Sequence, residues 1–217
     1  MTAQEVLEAV AAEVRVCTKC DLCKGTKNGV PGEGSVSAEV MFIGEGPGIN
    51  EDRQGRPFVG PAGHFLNELL ASIGMDRSTV FITNVVKHRP PNNRDPLPEE
   101  IAACGEYLTR QIEALNPKVI VTLGRFSMAR FFPNARISAI HGQAKKIDGR
   151  IVVAMYHPAA ALHQSSLRQT VEEDFRRSIP AALAEARRLA GEGKLGVAKD
   201  KDDQRDDGPP PQQLSLF

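Results

Sequence analysis

With 217 residues, 41% of them hydrophobic, the chain has material for one domain with a sizeable core and a tail besides. Its 27 basic and 27 acidic residues cancel, and the last 27 residues hold six acidic against four basic, so the body keeps a slight positive excess that neither demands nor excludes DNA as a partner. No stretch approaches the roughly 20 apolar residues of a membrane span, and Glu5, Glu8 and Glu13 stand where a secretion signal would be basic and then apolar. A cytoplasmic, monomeric protein without membrane association is expected. Four cysteines in a reducing compartment are poor disulfide candidates, so their clustering points to metal or redox chemistry.

Residues Thr2 to Val16 read as a short helix, with Val6, Val10 and Val14 at i, i+4 spacing. It delivers the chain to Cys17, Cys20 and Cys23. Cysteines two residues apart let both sulfurs face one soft metal, and three in succession are similar to iron–sulfur loops. Lys24 to Ser37, rich in Gly and Pro, reads as a loop. Val40 to Ile43 is apolar without alternation, as in a strand covered on both faces, and Gly44 ends it. Gly44, Gly46 and Gly48, stiffened by Pro47, shape a loop that holds Glu45 at the strand end, with Glu51 and Asp52 close behind. Phe58 is lodged among turn residues from Gly55 to Gly60. Pro61 then opens a helix to about Ser72, with Phe65, Leu66, Leu69, Leu70 and Ile73 on its apolar face.

Glycines after a strand suggest a dinucleotide fold, but Ile49 stands where the third glycine of Gly-x-Gly-x-x-Gly belongs. Three carboxylates in the loop would also repel a pyrophosphate. The glycines are expected instead to shape a site for a neutral group and a water.

Val80 to Val86 reads as a second buried strand, with Asn84 and Lys87 at its end. His88 to Pro98 holds four prolines and is a basic loop rather than regular structure. Glu99 to Leu115 is a helix whose Ile101, Cys104, Leu108, Ile112 and Leu115 share a side, so Cys104 faces inward. Val119 to Leu123, closed by Gly124, is a third strand, and Ile151 to Met155, followed by Tyr156, His157 and Pro158, is a fourth. Ile137 to Gly149 suits a turn or hairpin, and Gln169 to Leu189 a last amphipathic helix. Strands alternating with helices indicate a parallel sheet with helices on both faces. Ligands of such sheets lie beyond the carboxyl ends of the strands, where Glu45, Asn84 and His157 all fall on this reading.

These residues resemble the family 4 uracil-DNA glycosylases, the iron–sulfur branch of that superfamily. The segments that carry the likeness are Gly44–Gly48 with Glu51 and Asp52, Gly55–Gly60, Thr83–Lys87, Arg89–Arg94 and His157–Pro158, in the right order over roughly residues 14 to 185. The resemblance implies a three-layer α/β/α sandwich around a central four-stranded, mainly parallel sheet, hydrolysis of the uracil N-glycosidic bond in DNA to leave an abasic site, and a [4Fe-4S] cluster. It also implies roles. Phe58 is the platform on which the extruded base stacks, in a pocket shaped by Gly44 and Gly46, and Asn84 pairs with its Watson–Crick edge. His157 donates to the uracil O2, Glu45 orients or activates the water, and Glu51 supports the loop and Asn84; which glutamate matters more stays open. Leu162 fills the gap that the base leaves, and Lys87, Arg89 and Arg94 meet phosphates. Three cluster ligands match Cys17, Cys20 and Cys104. The remaining one falls on His88, with Cys23 as the alternative and zinc as the plainer occupant.

Each assignment has a structural alternative: His157 a strand-end histidine, Phe58 core, Asn84 a turn residue, Glu45 a cap, Leu162 part of an ordinary helix start, and the arginines a solvated loop. Cross-linking relatives bear a histidine at the position of His88, but the chain lacks their inserted basic loop, so hydrolysis is preferred. A non-catalytic or cross-linking iron–sulfur DNA-binding module and a nucleotide-using iron–sulfur oxidoreductase are the other readings. Residues 1–190 form the expected catalytic domain. Residues 191–212, with almost nothing apolar, read as a disordered linker. Gln213–Phe217 resembles the motif that binds the bacterial sliding clamp, which a tether would present to a groove.

Overall fold

The computed structural model describes residues 1–193. Helix α1 (Ala3–Arg15) starts at a capping box in which Thr2 and Glu5 satisfy each other's backbone N–H. Strands β1 (Glu33–Gly34) and β2 (Val40–Gly44) come next, then α2 (Ile49–Gln54), α3 (Pro61–Ser72), β3 (Phe81–Asn84), α4 (Pro98–Leu115), β4 (Val119–Leu123), α5 (Arg125–Ala129), α6 (Ile137–Ile140), β5 (Ala144–Ile147), β6 (Arg150–Met155), α7 (Pro158–His163) and α8 (Ser165–Gly191). Among the described residues no helix is long and apolar enough to cross a membrane.

The sheet order is β1-β3-β2-β4-β6-β5, with β3, β2, β4 and β6 mutually parallel. These four are the expected strands. Two antiparallel edge strands bring the count to six. β1 is only two residues long inside a Gly/Pro-rich stretch, too short for a periodic signal. β5 and β6 form a hairpin across Asp148 and Gly149, both at positive φ, 47° and 72°, the sign pattern of a two-residue turn that matches strand twist.

The central strands are uniformly apolar because both their faces are covered. Val40 and Phe42 point into a core made with Phe65, Leu66, Leu69 and Leu70 of α3 and with Phe175, Ile179 and Ala182 of α8. Met41 and Ile43 point the other way, to Leu7 of α1 and Leu108 and Ile112 of α4. The result is an α/β/α sandwich. Phe42 and Phe175 stack across the first core with centroids 6.1 Å apart, and fully burying such a side chain contributes about 1.5–3 kcal/mol.

All four parallel strands end at one rim, where the chain turns from apolar to polar or glycine: Glu45 after β2, Asn84 closing β3, Gly124 after β4, His157 after β6. Beyond β3 the chain stays docked on its neighbour. The backbone N–H groups of Val85 and Val86 donate to Gly44 and Glu45 carbonyls at 3.1 Å each, fixing the loop after β2 against the loop after β3. The expected catalytic domain ends with α8, whereas the expected linker beyond Gly193 and the Gln213–Phe217 motif lie outside the described residues.

Candidate active site

A cavity of about 830 Å³ opens at this rim, lined by Glu45, Gly46, Glu51, Phe58, Asn84 and His157, with Arg94, Asp95 and Arg125 on one side and Ala159, Ala160 and Leu162 on another. Residues separated by more than a hundred positions meet here. The rings of Phe58 and His157 lie 5.6 Å apart, inclined by 27°.

Phe58 is held in an unfavourable backbone conformation, φ 50°, which costs of order 1–3 kcal/mol for a residue with a Cβ. Its surroundings impose it. Arg77 donates from Nη1 to the Phe58 carbonyl at 2.9 Å and from Nη2 to the Pro57 carbonyl, while its Nε is paired with Glu33 at 2.7 Å. Behind the loop, Gly63 of α3 packs so tightly that a Cβ there would sit 1.9 Å from the Phe58 carbonyl oxygen.

Glu51 clamps the same loop from the other side. Its Oε1 accepts from Val59 N and Gly60 N, each at 2.8 Å, and its Oε2 from Gly48 N at 3.1 Å. Three charge-assisted bonds make this carboxylate a brace between the loop after β2 and the Phe58 loop. Among the described residues its hydrogen bonds go to that backbone and none to Asn84.

Asn84 is buried at 1% exposure, and its Oδ1 is one of two buried side-chain polar atoms without a partner among the described residues. A buried unpaired acceptor costs about 1–3 kcal/mol, so one on a residue that lines a cavity points to a ligand contact. Gly44, directly opposite in the β2–β3 register, leaves room for it: a Cβ there would lie 2.4 Å from Asn84 Oδ1 and 2.6 Å from Phe58 Cζ.

His157 caps α7, its Nδ1 accepting from Ala159 N at 3.1 Å. That bond puts the ring proton of the neutral imidazole on Nε2. Burial pushes its pKa down to about 4, against the opposing pull of the Glu51 carboxylate, so near neutral pH the ring is an uncharged donor. Glu45 shifts upward, first through burial and then through Asp95, with Arg125 opposing. Asp95 and Arg125 are themselves paired at the rim.

Leu162 is 42% exposed on α7 at the cavity edge. Arg94 also lines the cavity, forked onto Glu100 with bonds of 2.9 and 2.7 Å, and Arg89 donates to Asn93 at 2.7 Å. Lys87 departs from expectation. Rather than reaching a phosphate it is fully buried, its Nζ spent on Thr83 Oγ1, the Asn84 carbonyl and Gln111 Oε1 at 2.7–2.9 Å. Sequence reasoning also missed Arg77, Asp95 and Arg125. Arg77 acts through a partner 44 positions away, and no local pattern announces such a pair.

The thiols form a second cluster between α1, the 3-10 turn at Asp21–Cys23 and α4. Cys17, Cys20 and Cys104 lie within electrostatic reach of one another, and Cys23 within reach of Cys20. Burial pushes the Cys20 and Cys104 thiols up, and each neighbouring thiolate adds to the shift, a repulsion that a cationic group would relieve. Tyr107 bonds the Cys17 thiol and the Lys87 backbone N–H the Cys104 thiol. His88 is buried, its pKa lowered by desolvation against the pull of Asp52, so its imidazole is neutral and able to ligate. The donor chemistry fits a soft metal group. Among the described residues, however, no three His, Cys, Asp or Glu side chains converge on a single ion.

Residues 31–179 match the family model described as the Uracil DNA glycosylase superfamily. Three type-4 uracil-DNA glycosylases are similar over most of their length. That of Archaeoglobus fulgidus is 50% identical over 183 residues, covering 80% of this chain and 92% of the relative. The Saccharolobus solfataricus enzyme is 50% identical over 185 residues, 79% and 84% of the two chains, and that of Thermotoga maritima 45% over 182, 82% and 95%. With its α/β/α sheet, its rim cavity and this likeness along both chains, the protein belongs to the uracil DNA glycosylase superfamily.

Proposed function

We propose that this protein is a monofunctional uracil-DNA glycosylase that hydrolyses the bond between uracil N1 and deoxyribose C1′ and leaves an abasic site. The observation that carries the reading is the unpartnered Asn84 Oδ1 at a cavity whose floor also holds Phe58 and the neutral His157. Uracil offers an N3–H to that acceptor and an O4 to the amide's NH2. Cytosine offers the reverse of both, leaving the buried amide unpaired. A preorganised site rejects such an analogue by about 10⁴-fold or more.

In the cleavage the C1′–N1 bond breaks with its electron pair going to the base, so an anionic uracil faces an oxocarbenium-like sugar. His157 Nε2–H, held by the bond from Ala159 to Nδ1, donates to the uracil O2, where the charge accumulates. Water then adds to C1′ and gives its proton to Glu45, whose half-buried carboxylate also favours the cationic sugar. Glu51 is a positioning residue. Leu162 occupies the space vacated in the stack, and Arg89 and Arg94 supply phosphate contacts. Among the described residues no lysine lines the cavity to form a Schiff base, and Lys87 is enclosed.

On this reading Cys17, Cys20 and Cys104 hold a [4Fe-4S] cluster, with His88 as the fourth ligand and Cys23 the alternative. The cluster supplies a structural tie between the N-terminal segment, α4 and the loop after β3. Residues 191–212 form a linker that presents Gln213–Phe217 to the bacterial sliding clamp, and base excision repair is the setting. Incubation with uracil-containing DNA followed by alkali tests the activity. Strand breaks at uracil support it, and intact DNA at micromolar enzyme refutes it. Zinc in stoichiometric amount in a colourless preparation would refute the cluster, and unchanged clamp binding after removal of residues 213–217 would refute the tether.

A further inference from the structure

We propose that Lys87 is a positioning residue for base reading, which holds Asn84 by its main-chain carbonyl and joins the uracil pocket to the thiol-bearing helix α4. The inference rests on the reading of Asn84 as the residue that pairs with uracil. Lys87 lies three residues beyond β3, and its side chain turns back along its own strand. Nζ donates to the Asn84 carbonyl at 2.9 Å, to Thr83 Oγ1 at 2.7 Å and to Gln111 Oε1 at 2.8 Å. In its protonated form the amine has three N–H donors, and these three contacts use them all. The acceptors are neutral oxygens. Packing alone gives no reason for a charge here, because an apolar side chain of the same length fills the space without the several kcal/mol that desolvating an ammonium costs.

What the ammonium adds is a fixed Asn84. Asn84 Oδ1 has no partner to hold the amide, so the point from which the amide reaches is set by the backbone that carries it. The surrounding oxygens are fixed in turn. Thr83 Oγ1 and Gln111 Nε2 both donate to the Pro31 carbonyl, at 2.9 and 2.7 Å, and Val30 N donates to the Lys87 carbonyl at 2.7 Å. Gln111 stands two turns beyond Cys104 on α4, and the Lys87 N–H meets the Cys104 thiol. One residue therefore touches the base-reading strand with its side chain and the thiol site with its main chain.

The test is a double-mutant cycle on the full-length, metal-replete protein, read as single-turnover uracil release and as inhibition by free uracil. Asn84→Ala is expected to lose about 10²–10³-fold in rate, and Lys87→Met about 10–10²-fold, with free uracil weakened by a similar factor. Because Lys87 acts through Asn84, the double variant should match Asn84→Ala within about twofold, a non-additivity that general loosening of the core does not produce. Should Lys87→Met fail to fold, Lys87→Gln, which keeps a donor on a shorter arm, replaces it in the cycle. Multiplicative losses in the double variant, a Lys87 variant at the parental rate, or failure of both variants to fold would each overturn the proposal. Parental activity in Asn84→Ala would instead remove the reading of Asn84, and the proposal with it.

Discussion

Replacing Gly44 with Ala perturbs the uracil site by a distance that the geometry fixes. The new methyl would lie 2.4 Å from Asn84 Oδ1 and 2.6 Å from Phe58 Cζ, whereas ordinary contact begins at 3.4 Å. Both groups must therefore retreat, Asn84 by about 1 Å if it alone gives way. Asn84 has the freedom to do so, since its Oδ1 holds no bond that resists. Phe58 has little, clamped through its own carbonyl by Arg77 and through its neighbours by Glu51. The strain is thus expected to fall on the base-reading amide, and a misplacement of about 1 Å in a positioned group costs on the order of 10²-fold in rate, or about 2.7 kcal/mol of transition-state stabilisation. Gly44 is not at positive φ, so the backbone itself accepts alanine, and the cost to the folded state is that of overpacking, about 1–3 kcal/mol. Uracil release under single-turnover conditions, with thermal unfolding measured alongside, checks both halves. Activity within about threefold of the parent would show that the pocket relaxes and that the argument from space is wrong.

The His157 pKa, pushed down to about 4 in the folded protein from its ordinary 6.5, makes a pH prediction. Between those values the unfolded chain binds a proton that the native ring refuses, so stability must fall as pH drops from about 6.5 towards 4. His157→Gln should lose less Tm than the parent over that range, and parallel curves would refute the shift. Glu51→Gln turns one of the two oxygens that accept three backbone N–H bonds into a donor, so it is expected to destabilise by about 1–3 kcal/mol and to slow excision. Unchanged Tm and rate would deny it the brace. Cys104→Ala should abolish visible thiolate-to-iron absorption, whereas Cys23→Ser should keep it and His88→Ala diminish it. The opposite result for the last two exchanges the fourth ligand.

The four core strands were legible because both their faces are covered, which leaves an apolar run with no alternation to confuse it. Strand β1 was not, since two residues in a glycine-rich stretch carry no period. In the site, Glu45, Asn84 and His157 could be placed from the rule that strand ends gather at one rim, and Phe58 from the turn residues around it. Burial of Lys87 was hidden. A lysine beside a histidine and an arginine reads as a basic patch, and only the packing of α4 against the end of β3 reveals that Thr83 and Gln111 enclose it. Arg77 was invisible for the related reason that its contacts, with Glu33 and the Phe58 carbonyl, span 44 and 19 positions.

These long-range clamps also explain how two glutamates six residues apart come to differ. Glu51 accepts three backbone N–H bonds where the Phe58 loop meets the loop after β2. Glu45 has its carboxylate pushed upward by burial and by Asp95, with Arg125 opposing. In the proposed reaction a sugar that becomes cationic at this rim would meet one carboxylate placed to take a proton from water and another committed to holding the Phe58 loop. Exchanging their tasks would require moving the loop backbone, not merely the side chains, so Glu45→Gln should flatten the acid limb of the pH–rate profile while Glu51→Gln lowers the rate at every pH.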